Sequence, residues 1–219
     1  MIAEINKGKE LEPVWPSLLA LLATGGLHMA LPEALAVGPR WSLLALVMVT
    51  MVPAHLVHAR GHHQFCKPIG FFIIGTVTVE LIISVALLVL AIPRHVETPE
   101  QLLHSAAALW VTNIITFAVW YWRLDAGGPH KRNMRDAHSD GAFLFPQMTM
   151  EVPCESDNEQ ENWAPLFIDY LFLAFNTSTA LSPTDVPVLS RWAKVLMMIQ
   201  SAISLAVVAL LAARAVNVL

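Results

Sequence analysis

Apolar residues in this chain fall into long blocks separated by short polar breaks. Four blocks precede a hydrophilic stretch: 14–31, bounded by Pro13 and Pro32; 41–57, opening on Trp41; 70–92, with a single charge; and 102–122. Blocks of this length predict membrane-spanning helices, since a crossing takes roughly 20 apolar residues. The fourth ends in Trp120-Tyr121-Trp122-Arg123, an aromatic belt and basic anchor suited to a membrane exit. Gly25-Gly26 offers the first helix a close contact with a neighbour. Short connections predict antiparallel packing of successive helices.

The last fifty-five residues have a different pattern. An apolar segment over 166–181 is only about sixteen residues long, where a crossing needs roughly 20. Its end carries Asn176, Thr177, Ser178 and Thr179. Polar side chains at membrane depth must face protein or water, so this segment is expected to enter the bilayer and stop short of the far side. A polar loop and a last apolar helix over 195–218 follow. The expected fold is all-α: five spanning helices, with a short segment and loop before the last. Its parts are an N-terminal tail (1–13), a four-helix region (14–123), a hydrophilic loop (124–163) and a C-terminal module (164–219).

Composition agrees with an integral membrane protein. The chain is 56% hydrophobic and 14% charged, with mean hydropathy +0.57, against roughly 25% charged residues in soluble domains. The bilayer is therefore its first partner, and a cell (inner) membrane is the expected location. A formal charge of −4 without a basic stripe argues against a nucleic-acid partner. Ala34-Leu35-Ala36 resembles a signal-peptide cleavage site, but the preceding stretch mixes Glu4, Glu10 and Glu12 with Lys7 and Lys9, unlike a signal n-region.

The 124–163 connection is basic at its start (Arg123, Lys131, Arg132, Arg135) and acidic at its end (Glu151, Glu155, Asp157, Glu159, Glu161). It reads as a solvated loop or, alternatively, as a rim that concentrates cations. With six crossings and a cytoplasmic N-terminus, nine basic residues fall inside and four outside. If segment five instead re-enters from the cytoplasm, the split is ten against three; the reverse orientation gives three against ten.

Three other groups carry candidate chemistry. Glu80 lies mid-span in the third block, where a carboxylate costs about 2.5–3.5 kcal/mol even on insertion scales. It is either a protonated or hydrogen-bonded packing residue or a proton or cation site, with Thr76 on the same face and Asn113 and Thr116 as candidate partners. His55, His58 and His62 share one helix face near His63 and Cys66, a weak metal-ligand pattern at a membrane exit. His28 and His104 stand isolated. Cys66 and Cys154 fall on one side of the membrane: reduced if cytoplasmic, able to pair if external. No hydrolase, zinc-protease, P-loop or dinucleotide motif is present. Neither enzyme activity nor a cofactor is expected.

The stretch Thr177-Ser178-Thr179-Ala180-Leu181-Ser182-Pro183-Thr184-Asp185-Val186-Pro187 resembles the pore signature of potassium channels, T-x-T-T-V-G-Y-G-D followed by Pro. Thr177, Thr179 and Asp185 fall on family positions, while Ser182, Pro183 and Thr184 replace Gly-Tyr-Gly. The layout of four spans and then this module is also similar to a group of uncharacterised bacterial multi-pass membrane proteins, as are Phe143-Leu144-Phe145-Pro146 and Asp169-Tyr170. The resemblance implies a pore helix, a filter-like loop and an inner helix. It implies a homo-oligomer, a tetramer if a pore, passing a monovalent cation near Asn176, Thr177, Thr179, Ser182, Pro183, Thr184 and Asp185. Proline fixes φ and cannot readily form a glycine-type carbonyl ladder, so the implied filter is divergent and not potassium-selective. Two alternatives stand beside the pore: a non-conducting scaffold or partner-binding subunit, and a proton-coupled transporter using Glu80.

Overall fold

The computed structural model describes residues 13, 15–59, 63–91, 98–133, 141–149, 163–182 and 185–218, with backbone alone at 51–59, 63–67, 99, 133 and 214–218. Its helices are α1 (Trp15–Met29), α2 (Ser42–Ala59), α3 (His63–Ala91), α4 (Pro99–Leu124), α5 (Pro129–Asn133), α6 (Phe167–Ala180) and α7 (Arg191–Val218). Among the described residues, three stretches are long and apolar enough to cross a membrane: Pro68–Ala91, Glu100–Arg132 and Arg191–Ala213. The chain is an all-helical membrane protein. α1, with fifteen residues, is only about 22 Å long at 1.5 Å per residue.

Local chemistry sets the helix ends. Before α4, the Thr98 hydroxyl accepts from the Gln101 N–H while Gln101 Oε1 accepts from the Thr98 N–H, and Pro99 takes the first helical position. After α4, Gly127 and Gly128 adopt positive φ, and a Cβ on Gly128 would lie 2.8 Å from the Arg123 carbonyl oxygen. α6 opens with the Leu166 N–H donating to Asp169 Oδ2 at 2.7 Å. It closes on Leu181, whose left-handed backbone (φ 55, ψ 26) costs a residue with a Cβ roughly 1–2 kcal/mol.

α4 is the hub, packing against α1, α3, α6 and α7. It runs antiparallel to α3: Phe71 and Trp120 rings lie 6.0 Å apart, and Trp120 Nε1 donates to Thr78 Oγ1 at 2.8 Å. The bare backbone at Gly70 admits the Arg123 guanidinium, which a Cβ there would overlap. Of the glycine pair in α1, Gly25 makes the close approach, with an added Cβ only 3.0 Å from the Leu44 Cα on α2, whereas Gly26 faces open space.

The hydrophilic connection does not stay wholly in solvent. Asp125, Arg132, Ala142, Phe143 and Phe145 are buried. Phe143, fully buried, touches Tyr121, Tyr170 and Trp192 with centroid distances of 5.2, 6.3 and 6.1 Å. Its backbone forms an isolated antiparallel bridge with Val188. The Leu144 N–H donates to Pro187 O at 3.0 Å and the Leu189 N–H to Ala142 O at 2.8 Å. The net charges of this connection masked its aromatic anchor, because apolar burial depends on a few large side chains and not on the average polarity of a segment.

Two outcomes follow from this packing. Gly25→Leu should destabilise the protein by roughly 1–3 kcal/mol through overpacking, while Gly26→Ala should be neutral or stabilise by up to about 1 kcal/mol; thermal unfolding in detergent reads both. Phe143 and Val188 form a non-hydrogen-bonded pair, for which Cα atoms lie about 4.5 Å apart, within the ~4.4–6.8 Å that a disulfide spans. With Cys66 and Cys154 replaced by Ser, Phe143→Cys with Val188→Cys should yield an intrachain disulfide on mild oxidation, seen as a reductant-sensitive gel shift.

Candidate functional site

The 163–190 stretch leaves and rejoins the same end of α4. The Tyr170 hydroxyl donates to Asp125 Oδ2 at 2.6 Å, beside the C-terminus of α4. Eight residues further along α6, about 12 Å at helical rise, Ser178 Oγ accepts from Asn113 Nδ2 at 3.4 Å, in the middle of α4. The loop then returns, so that Val188 pairs with Phe143, itself packed on Tyr121 near the end of α4. α7 starts from that same end, with Trp192 on Phe143, and passes back along α4.

A buried amide holds the tip of α6. Gln200 of α7 is fully enclosed. Its Nε2 donates to Ala174 O at 2.7 Å and to Ser178 Oγ at 2.8 Å, while its Oε1 accepts from the Tyr121 hydroxyl. Asn113 Nδ2 also donates to Gln200 O at 3.2 Å. The Ser204 hydroxyl donates to Ser178 O, one of the last-turn carbonyls of α6 that lacks a helical partner, and Ser204 Oγ accepts from Trp110 Nε1 at 3.2 Å. Away from the tip, Asp125 accepts from Tyr170 and from the Ala142 N–H, while Arg132 Nη1 donates to the Trp122 and Asp125 carbonyls at 2.8 Å. The Arg132 guanidinium lies 5.2 Å from the Tyr170 ring centroid. Both ends of the hairpin are therefore tied to α4 by charged or amide groups.

The sequence-derived residues divide sharply. Thr177 and Ser178 are buried against the bundle, and the Thr177 hydroxyl donates to Leu173 O of its own helix at 2.8 Å. Thr179 and Asp185 are exposed, and Asn176 and Ser182 are half-buried. Pro183 and Thr184 lie outside the described residues. His55 and His58 lie on α2, where backbone alone is described, and His62 lies outside the described residues, as does Cys154. Among the described residues, no three His, Cys, Asp or Glu side chains gather as a metal site.

Glu80 finds a partner that the sequence did not supply. His28 Nε2 of α1 lies 2.9 Å from Glu80 Oε1, with side-chain exposures of 4% and 11%. The approach is close, but the nitrogen makes no aligned hydrogen bond. Thr76, on the same face of α3, donates to Phe72 O. Gln200 and the Glu80–His28 pairing, both missed, had a readable signal. Gln200 is an amide deep inside the last apolar block, and Ser17, Thr24 and His28 fall on one polar stripe of α1.

Gln200→Leu removes three side-chain hydrogen bonds. At roughly 0.6 kcal/mol each for interhelical bonds in membrane proteins, it should lower stability by about 2 kcal/mol. Thr179→Val, at an exposed hydroxyl bonded only to its own helix, should change stability little. Unfolding in mixed micelles compares the two.

A scan against protein-family models, and comparisons with curated proteins and with solved structures, return no match to this chain.

Proposed function

We propose that this protein is a subunit of an oligomeric, cation-conducting pore in a bacterial inner membrane. In this reading α6 is a half-membrane helix, the loop over 181–190 is its return path, and α7 is the inner helix. One observation carries the reading: α6 reaches the middle of α4 and the chain then comes back to the end from which it started.

The residues left uncovered at the tip agree with this. Thr179 and Asp185 are exposed, and Asn176 and Ser182 are half-buried, on the outside of the single chain. Polar groups at that depth require water or protein, and a ring of identical chains around an axis supplies both. Four copies fit the channel family that the motif resembles. The C-terminal end of a helix carries partial negative charge, and Asp185 adds to it, which favours cations over anions. Without the two glycines of a potassium filter, the path is wider and lined by hydroxyls. Thr177 lies outside that lining, since it is buried inside the chain. The basic-residue count supports re-entry from the cytoplasm: Lys7, Lys9, Arg60, Lys67, Arg123, Lys131, Arg132, Arg135, Arg191 and Lys194 fall inside, against Arg40, Arg94 and Arg214 outside.

The rival reading is a scaffold that keeps a pore-like fold without conducting. The enclosure of the Thr177 and Ser178 hydroxyls favours it, because those groups serve packing. Ion flux into liposomes carrying the purified protein separates the two. The pore reading expects monovalent-cation uptake that falls several-fold in Asp185→Asn and changes in Thr179→Val, with both variants folded and inserted. The scaffold reading expects no uptake above that of protein-free vesicles, and indifference to both substitutions.

A further inference from the structure

We infer that His28 and Glu80 form a binding site for one exchangeable proton inside the bundle, separate from the α6 hairpin. The two side chains come from different helices, lie 2.9 Å apart and are almost entirely enclosed. His28 Nε2 nonetheless lacks an aligned hydrogen bond. One turn along the same face of α3, Ser84 Oγ is buried without a partner. Two oxygens of α4 share that condition, Asn113 Oδ1 and Thr116 Oγ1.

These atoms lie near one level of the bundle. Gly70 and Arg123 meet where α3 and α4 run antiparallel. Glu80 is ten residues beyond Gly70, and Asn113 ten residues before Arg123, so each sits roughly 15 Å from that contact. Asn113 and Thr116 belong to the α4 stripe that continues to Trp120 and Arg123, both of which touch α3. A buried polar atom without a partner costs about 1–3 kcal/mol. Enclosed polar groups of this kind are the usual partners of buried water, and water held between them would carry a proton to and from the pair.

Charge makes the pair, and not either residue alone, the site. With one proton between them the two are net neutral. That proton sits on Nε2 as imidazolium beside carboxylate, or the N–H bond breaks, an O–H bond forms on Glu80 and both charges vanish. Other titratable groups stand apart. On α1 among the described residues His28 is the sole one, and α3 beyond Pro68 carries Glu80 alone. α2 has His55 and His58 toward its far end. α4 has Glu100 and His104 at its start and Tyr121 and Arg123 at its end, and α7 has Arg191 and Lys194 at its start and Arg214 near its end. Glu33 and Arg40, in the turn between α1 and α2, are exposed and pair with each other at 3.3 Å.

The test is pH-difference infrared spectroscopy on the full-length protein in liposomes, in water and in deuterium oxide. The expected result is a protonated-carboxyl band that moves on deuteration, is lost in Glu80→Gln and is shifted in His28→Gln, with proton uptake per chain reduced by one in either variant. A carboxyl spectrum and a proton uptake both unchanged in Glu80→Gln would overturn the inference. So would a carboxyl band that ignores deuteration. Should Glu80→Gln fail to fold, His28→Gln decides alone: an unshifted band refutes the pair, and a shifted one upholds it. None of these readouts involves cation flux, so the pore and the proton site stand or fall separately.

Discussion

A helix that ends halfway through a bundle leaves its last carbonyls and any nearby hydroxyls without water, and each must be met by protein. At the tip of α6 the Gln200 amide meets most of that demand. It donates to Ala174 O and Ser178 Oγ and accepts from Tyr121, while Ser204 takes the Ser178 carbonyl. Because both atoms of the Gln200 amide are engaged, α4, α6 and α7 are fixed together at one depth. The aromatic anchor around Phe143 closes the other end of the hairpin. Between these two clamps the return loop is constrained at both sides, and Leu181 holds the left-handed backbone that turns the chain.

The polar groups of the bundle fall into two regions that differ in how fully they are satisfied. Around Gln200 nearly every donor and acceptor is matched, which suits a rigid support. Around Glu80 and His28 the matching is incomplete, with Ser84 and Thr116 unpaired. On α4, Asn113 Nδ2 serves α6 and α7, while its Oδ1 is left over. A structural network gains from complete pairing, whereas a site that exchanges a small ligand needs groups free to receive it.

Much of the fold was readable because bilayer physics writes itself into composition. Long apolar blocks and the short 166–181 segment map onto α3, α4, α6 and α7, whereas Tyr121 and Trp122, expected as an interfacial belt, are buried inside the bundle. Gly25 and Gly26 were flagged together, yet only Gly25 faces a neighbour, since helical phase relative to a partner cannot be read from one strand of sequence. The connection after α4 was misleading for another reason. Its many charges describe its average, whereas Phe143, Asp125 and Arg132 determine its packing. Leu181 gave no warning of a left-handed turn, because the usual glycine is missing.

Sequence by itself determined that this chain is helical, that it lives in a membrane, and that the apolar segment over 166–181 is only about sixteen residues long with a polar end. Those properties follow from local hydrophobicity and length. Only the tertiary structure decided that Thr177 turns inward while Thr179 turns outward, that Val188 returns to Phe143, and that His28 meets Glu80 across fifty-two residues of chain. Such pairings depend on how helices are rotated and staggered against one another. That choice is made by side-chain packing between distant segments, and no periodicity within a single segment records it.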